Sequence, residues 1–143
     1  MALRRFALIF GIVYLIIGAG GFIPGMVAPH SHPDVTVTRG LGLELSLFPV
    51  NVLHNIVHLL FGVWGLLASR SAPGSRGYAK AVAIIFALLT VMGFIPALRL
   101  HTTFGLVPLY GNDIWLHALL AIVAGYFGFV RNDAETAATP TTR

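Results

Sequence analysis

The sequence contains no cysteine, which excludes disulfides, thiolate metal centres and redox dithiols, so any metal ion must be held by nitrogen and oxygen. Charge is also scarce: 10% of the 143 residues are charged against 57% hydrophobic, and the mean hydropathy is +0.85. A soluble domain of this size carries far more charge, so the main solvent of this chain is hydrocarbon. Catalytic signatures are missing as well. There is no Walker loop, no His-Glu-x-x-His, no Gly-x-Ser-x-Gly and no dinucleotide fingerprint, and Asp113 is the one carboxylate associated with an apolar run. Hydrolysis by a carboxylate pair is therefore not expected, and the chain reads as a binding or structural protein more than as an enzyme.

What is there is apolar sequence in long runs. A hydrocarbon span takes roughly 20 residues, and four runs of that order occur, at about 6–27, 47–68, 81–98 and 112–130. The expectation is an all-α integral membrane four-helix bundle, one domain over residues 1–131, with 132–143 as a disordered tail. The formal net charge of +4 does not form a nucleic-acid patch. Arg4, Arg5, Arg70, Arg76, Lys80 and Arg131 flank the runs, and the positive-inside rule then makes both termini and the tail cytoplasmic. Among the connections, 28–46 reads as an irregular loop with a short strand-like piece over Asp34–Thr38, and 70–77 as a flexible turn. Tyr78, Tyr110 and Trp115 read as interfacial anchors.

The runs repeat. Gly21-Phe-Ile-Pro24 closes the first and Gly93-Phe-Ile-Pro96 the third, while Pro49–His58 aligns without a gap to Pro108–His117. Two tandem two-helix units follow, each crossing twice and so related by a pseudo-two-fold axis along the membrane normal. In this alignment His54 stands opposite Asp113, and His58 opposite His117. Gly11, Gly18, Gly21 and Gly25, with Gly62 and Gly65 and with Ala121, Ala124 and Gly128, form small-residue stripes that let helices pack closely.

The chemistry lies on two stripes. At ~100° per residue, Asn51, His54, Asn55 and His58 fall within about 100° of arc on the second run, and Asp113 and His117 share a face of the fourth. Lipid cannot satisfy such groups, so they face the bundle interior, a cavity or another protein. Three imidazoles and one carboxylate, His54, His58, Asp113 and His117, suit zinc, iron, copper or manganese. Alternatively His58 and His117 hold a haem or other tetrapyrrole across the axis. Asn51, Asn55 and Asn112 would then fix the imidazole tautomers. Against both stand structural readings: Asn112 or Asp113 caps the fourth helix, Ser46 and Pro49 open the second, and the stripe is interhelical glue or a proton or solute path. His30, His32 and His101 in the loops read as solvated.

Pro49-Val-Asn-Val-Leu-His-Asn-Ile-Val-His58 with Gly62, together with Gly-Asn-Asp-Ile-Trp-Leu-His117, resembles the bacterial membrane family called domain of unknown function 4383. The resemblance implies a multi-pass protein of the bacterial inner membrane and no particular activity. Two functions from different classes are thus expected: an intramembrane metal or tetrapyrrole site for electron transfer, sensing or assembly, or a non-catalytic subunit of a larger membrane complex. The surrounding partner is the lipid bilayer, with other membrane subunits or a homo-oligomer beyond it.

Overall fold

A computed structural model describes residues 1–131; the expected tail, 132–143, lies outside the described residues. Four α-helices carry the fold: α1 (Ala2–Gly20), α2 (Val52–Ala68), α3 (Ala72–Gly93) and α4 (Asn112–Gly125), the last continued by a wider π-helical turn over Tyr126–Val130. By length and composition α1, α3 and the Asn112–Val130 segment can each cross a membrane, and α2 is a shorter apolar helix. Their outward faces are lined by large apolar side chains such as Ile16, Leu60, Ile84 and Ile122, which is the surface lipid requires. Trp115, exposed and edge-on to Phe94, belongs to that surface.

The helix limits differ from the apolar runs for local reasons. α1 stops at Gly20 and α3 at Gly93, both at Gly-Phe-Ile-Pro, where the proline cannot continue the ladder. α3 begins nine residues before its apolar run would suggest, because Ser71 accepts a bond from Gly74 N and Pro73 sits in the first turn, so the expected flexible turn at 70–77 is mostly helix. α2 starts late. Residues 48–50 belong instead to a three-stranded antiparallel sheet, β1 (Val27–Pro29), β2 (Gly42–Glu44) and β3 (Phe48–Val50), in that order. Neither Ser46 nor Pro49 opens α2, and Asp34–Thr38 is not a strand.

The helices associate mainly as α1 with α2 and α3 with α4, and the pairs meet around Phe6, Tyr14, Tyr78, Val82, Phe86 and Ala124. Tyr78 is fully buried there, its hydroxyl bonded to Phe61 O at 3.3 Å, so it is a core residue and not an interfacial anchor. Glycine sets the first pair. A Cβ on Gly11 would stand 2.8 Å from Leu66 N, and one on Gly65 2.8 Å from Gly11 Cα. Gly25, by contrast, lies in a turn at φ 89° and takes no part in helix packing.

One end of the bundle gathers the chain start, the α2–α3 junction and the end of α4: Arg4 Nε donates to Ser69 O and Arg76 to Gly128 O. At the other end the two long connections interlock. Thr36 donates through its amide and hydroxyl to Gly105 O, and Thr102 Oγ1 donates to Asp34 O. The Gly11 contact predicts that Gly11→Val, which wedges side-chain volume between two backbones, destabilises the detergent-solubilised protein by about 1–3 kcal/mol. A thermal melt should show the loss, whereas Ile16→Val on the lipid face should leave it unchanged.

Candidate metal centre

The buried polar cluster is built at the loop end of α2 and α4. Asn51 is the cap of α2: its Oδ1 accepts from His54 N at 2.9 Å while its Nδ2 donates to Val37 O and Leu106 O at 3.0 and 2.7 Å. It therefore fixes the helix start beneath both loops and does not contact an imidazole nitrogen through its amide. His54 is held by the backbone instead. Its Nδ1 lies 3.1 Å from Pro49 O, and since a carbonyl only accepts, that contact selects the Nδ1–H tautomer and leaves the Nε2 lone pair free.

On α4 the cap is Gly111, without a side-chain bond, so neither Asn112 nor Asp113 caps the helix. Asn112 is exposed and donates to Leu47 O at 3.3 Å. Asp113 turns inward, 2% exposed, with Oδ2 3.2 Å from Nδ1 of His117. The two atoms are close but poorly aligned, and both are left without a hydrogen-bond partner.

His54, Asp113 and His117 offer ligand atoms that all lie within 4.8 Å of one another, and all three residues are buried. The helices thus bring together three of the four expected ligands. His58 stands beside them, its ring 4.4 Å from that of His54 and stacked at 5.8 Å on Tyr14, with Nδ1 unpartnered. Asn55, fully buried, faces α1: a Cβ on Gly21 would collide with its amide, whose oxygen and nitrogen make no hydrogen bond.

A cavity of about 80 Å³ borders the cluster, lined by Tyr14, Glu44, His58, Asp113 and His117; a second, of about 210 Å³, lies on the side of Phe61, Phe86 and Leu89. Glu44 is absent from the residues singled out by sequence. It is 4% exposed, delivered from β2 across the bundle mouth, and burial pushes its carboxyl above the ordinary range. Its sequence signal was an acid, with Asp34, in a loop otherwise rich in turn residues.

A second group surrounds the interlocked loops. His32, Asp34 and His101 also bring their ligand atoms within 4.8 Å. Asp34 Oδ2 lies 3.3 Å from His101 Nε2 and Oδ1 3.7 Å from Arg99 Nε; His32 stacks on Tyr110 at 4.3 Å. Burial lowers the His32 imidazole pKa, with His101 acting in the same direction, and burial raises that of the Tyr110 phenol. These histidines are not solvated loop residues, and Tyr110 packs on them.

Apolar crossing helices closed over buried polar groups define a multi-pass membrane protein with histidine–carboxylate clusters that could coordinate a metal ion. The chain belongs to the family described as domain of unknown function DUF4383, whose model matches residues 4–130. No curated protein matches it, and no solved structure does.

The multiple bonds of Asn51 predict graded effects. Asn51→Ala, losing the cap and both loop bonds, should destabilise by about 2–4 kcal/mol, and Asn51→Ser, which keeps the cap, by roughly half as much. Denaturation in detergent checks the order; equal losses for the two would show that the cap bond contributes nothing, and no loss for Asn51→Ser that the loop bonds contribute nothing.

Proposed function

We propose that the protein binds a divalent transition-metal ion inside the bilayer through His54, Asp113 and His117, serving electron transfer, sensing or assembly and not catalysis. The observation that carries this reading is the convergence of three buried ligand groups within 4.8 Å, two of whose facing atoms have no hydrogen-bond partner. Two imidazoles and a carboxylate form a donor set for zinc, copper, iron or manganese. His58 is near enough to serve as a fourth donor after a small ring movement. The cavities, about 80 and 210 Å³, fall below the ~300–1,000 Å³ of small-molecule sites, which favours an ion over a tetrapyrrole between His58 and His117.

The frame around the site is read as a four-helix bundle of two tandem halves in the bacterial inner membrane, both termini cytoplasmic. Its support is the repeated sequence, with Gly-Phe-Ile-Pro ending α1 and α3 and with Pro49 and Pro108 both fully buried. Basic residues at the terminal end of the bundle support the orientation.

Protein purified in mild detergent and titrated with Zn2+ or Cu2+ should bind the ion at this site. Replacing His54 and His117 together by Gln should weaken that binding at least ~100-fold, more than loss of an outer-sphere contact would. Elemental analysis after dialysis is the measurement. Unchanged affinity in a correctly folded double variant would overturn the reading, and a visible absorption band of a copurified tetrapyrrole would redirect it to His58 and His117.

A further inference from the structure

We propose that His32, Asp34 and His101 form a second, exchangeable divalent-metal site at the loop end of the bundle, bridging the α1–α2 and α3–α4 connections. The residues come from segments far apart in sequence, yet their ligand atoms lie within 4.8 Å, whereas tetrahedral zinc with bonds of about 2.0–2.1 Å needs donors about 3.3 Å apart. A modest closing of the partly exposed His32 and Asp34 side chains onto the buried His101 suffices. Hydrogen bonds already hold the two loops in register, from the Thr36 amide and hydroxyl to Gly105 O and from the Thr102 hydroxyl to Asp34 O, so the ligands are brought together without help from an ion.

The donors fit a cation in detail. Asp34 divides its carboxylate: one oxygen faces Arg99 at 3.7 Å, the other faces His101 at 3.3 Å. Arg99 can thus steady the carboxylate while the second oxygen binds the ion. His32 accepts a hydrogen bond from Asp34 N through Nδ1 at 3.2 Å, so an ion takes that lone pair by displacing the amide or takes Nε2 after its proton leaves. His101 is 9% exposed, and its Nδ1 has no hydrogen-bond partner. Tyr110 packs against His32, His101 and His30, and its hydroxyl and His30 Nε2 are likewise buried and unpartnered. Among the described residues His101 Nδ1 and His30 Nε2 are left without a protein partner, and water or an exchangeable ligand completes the coordination of an ion held by three protein donors.

Two features separate this site from the intramembrane one. His32 and Asp34 are partly exposed while His54, Asp113 and His117 are all buried, so the loop ion should equilibrate faster with a chelator. Asn51 also ties the α2 cap at His54 to Val37 O and Leu106 O in the two loops, so stapling the loops stiffens the entrance over the deeper cluster.

The test is the zinc stoichiometry of the full chain in detergent, measured by elemental analysis after equilibrium dialysis, with gel filtration to confirm folding. Wild type should hold two ions, and His32→Gln with His101→Gln should remove one. Asp34→Asn, a milder change that keeps the side chain's shape, should weaken the same ion by more than the ~10–100-fold that loss of an outer-sphere contact costs. Retention of both ions at undiminished affinity in folded Asp34→Asn and in the double variant would overturn the proposal. The deeper reading fails separately: a single ion that His32→Gln with His101→Gln abolishes, and that His54→Gln with His117→Gln leaves in place, would uphold the loop site and reject the intramembrane one.

Discussion

Hydrocarbon offers no hydrogen bonds, and that constraint organises the molecule. A polar side chain on an apolar helix has to turn toward protein, and here five of them, on α2, α4 and β2, gather around one cavity and cluster while Asn55 faces α1. His54, Asn55, His58, Asp113, His117 and Glu44 are all under 9% exposed in a chain whose outward faces are aliphatic and aromatic. Closing the bundle over them depends on the tight α1–α2 seam at Gly11, Gly62 and Gly65. That seam has little hydrophobic driving force in lipid and relies on backbone contact. Small residues and the polar cluster are therefore two sides of one solution: glycine allows the approach that shields the imidazoles.

Much of this was legible in the residues. Apolar runs located four helices, Gly-Phe-Ile-Pro marked where two of them stop, and period-3.6 reasoning put His54 and His58 on one face and Asp113 and His117 on another. Those local regularities survive because each depends only on neighbours along the chain. The four-residue spacing placed Asp113 within 3.2 Å of His117 without any knowledge of tertiary structure. Asn51 defeated the same reasoning, since a projection assumes a continuous helix and Asn51 is the extended residue before one. A cap is part of the helix energetically but not geometrically.

The rest was hidden because it is non-local. β2 and β3 are three residues each, and the turn joining them carries Leu45 and Ser46 at φ 53° and 60°, a conformation that sequences normally announce with Asn-Gly. With no such announcement, the hairpin and its Glu44 looked like loop. Likewise His32 and His101 look solvated when each is read in its own segment. Their pairing requires the α1–α2 and α3–α4 connections to lie together, which hydrogen bonds between Thr36, Gly105, Thr102 and Asp34 accomplish.

The aligned segments Pro49–His58 and Pro108–His117 bear on the proposed cation site. Strict duplication would set imidazole against imidazole at both levels, giving a neutral cluster with no electrostatic preference for an ion. At one level the second half carries Asp113 where the first carries His54, and the pair then combines a neutral nitrogen donor with a carboxylate. A lone carboxylate in a low-dielectric interior is costly, and the imidazole 3.2 Å from Asp113, that of His117, is poorly aligned with it. A divalent cation removes that cost directly, because its attraction to the carboxylate grows as the surrounding dielectric falls. In the reading proposed above, Asp113 at the position aligned with His54 thus converts a hydrogen-bonding cluster into one that favours a positive ion, with His54 and His117 in place as further donors.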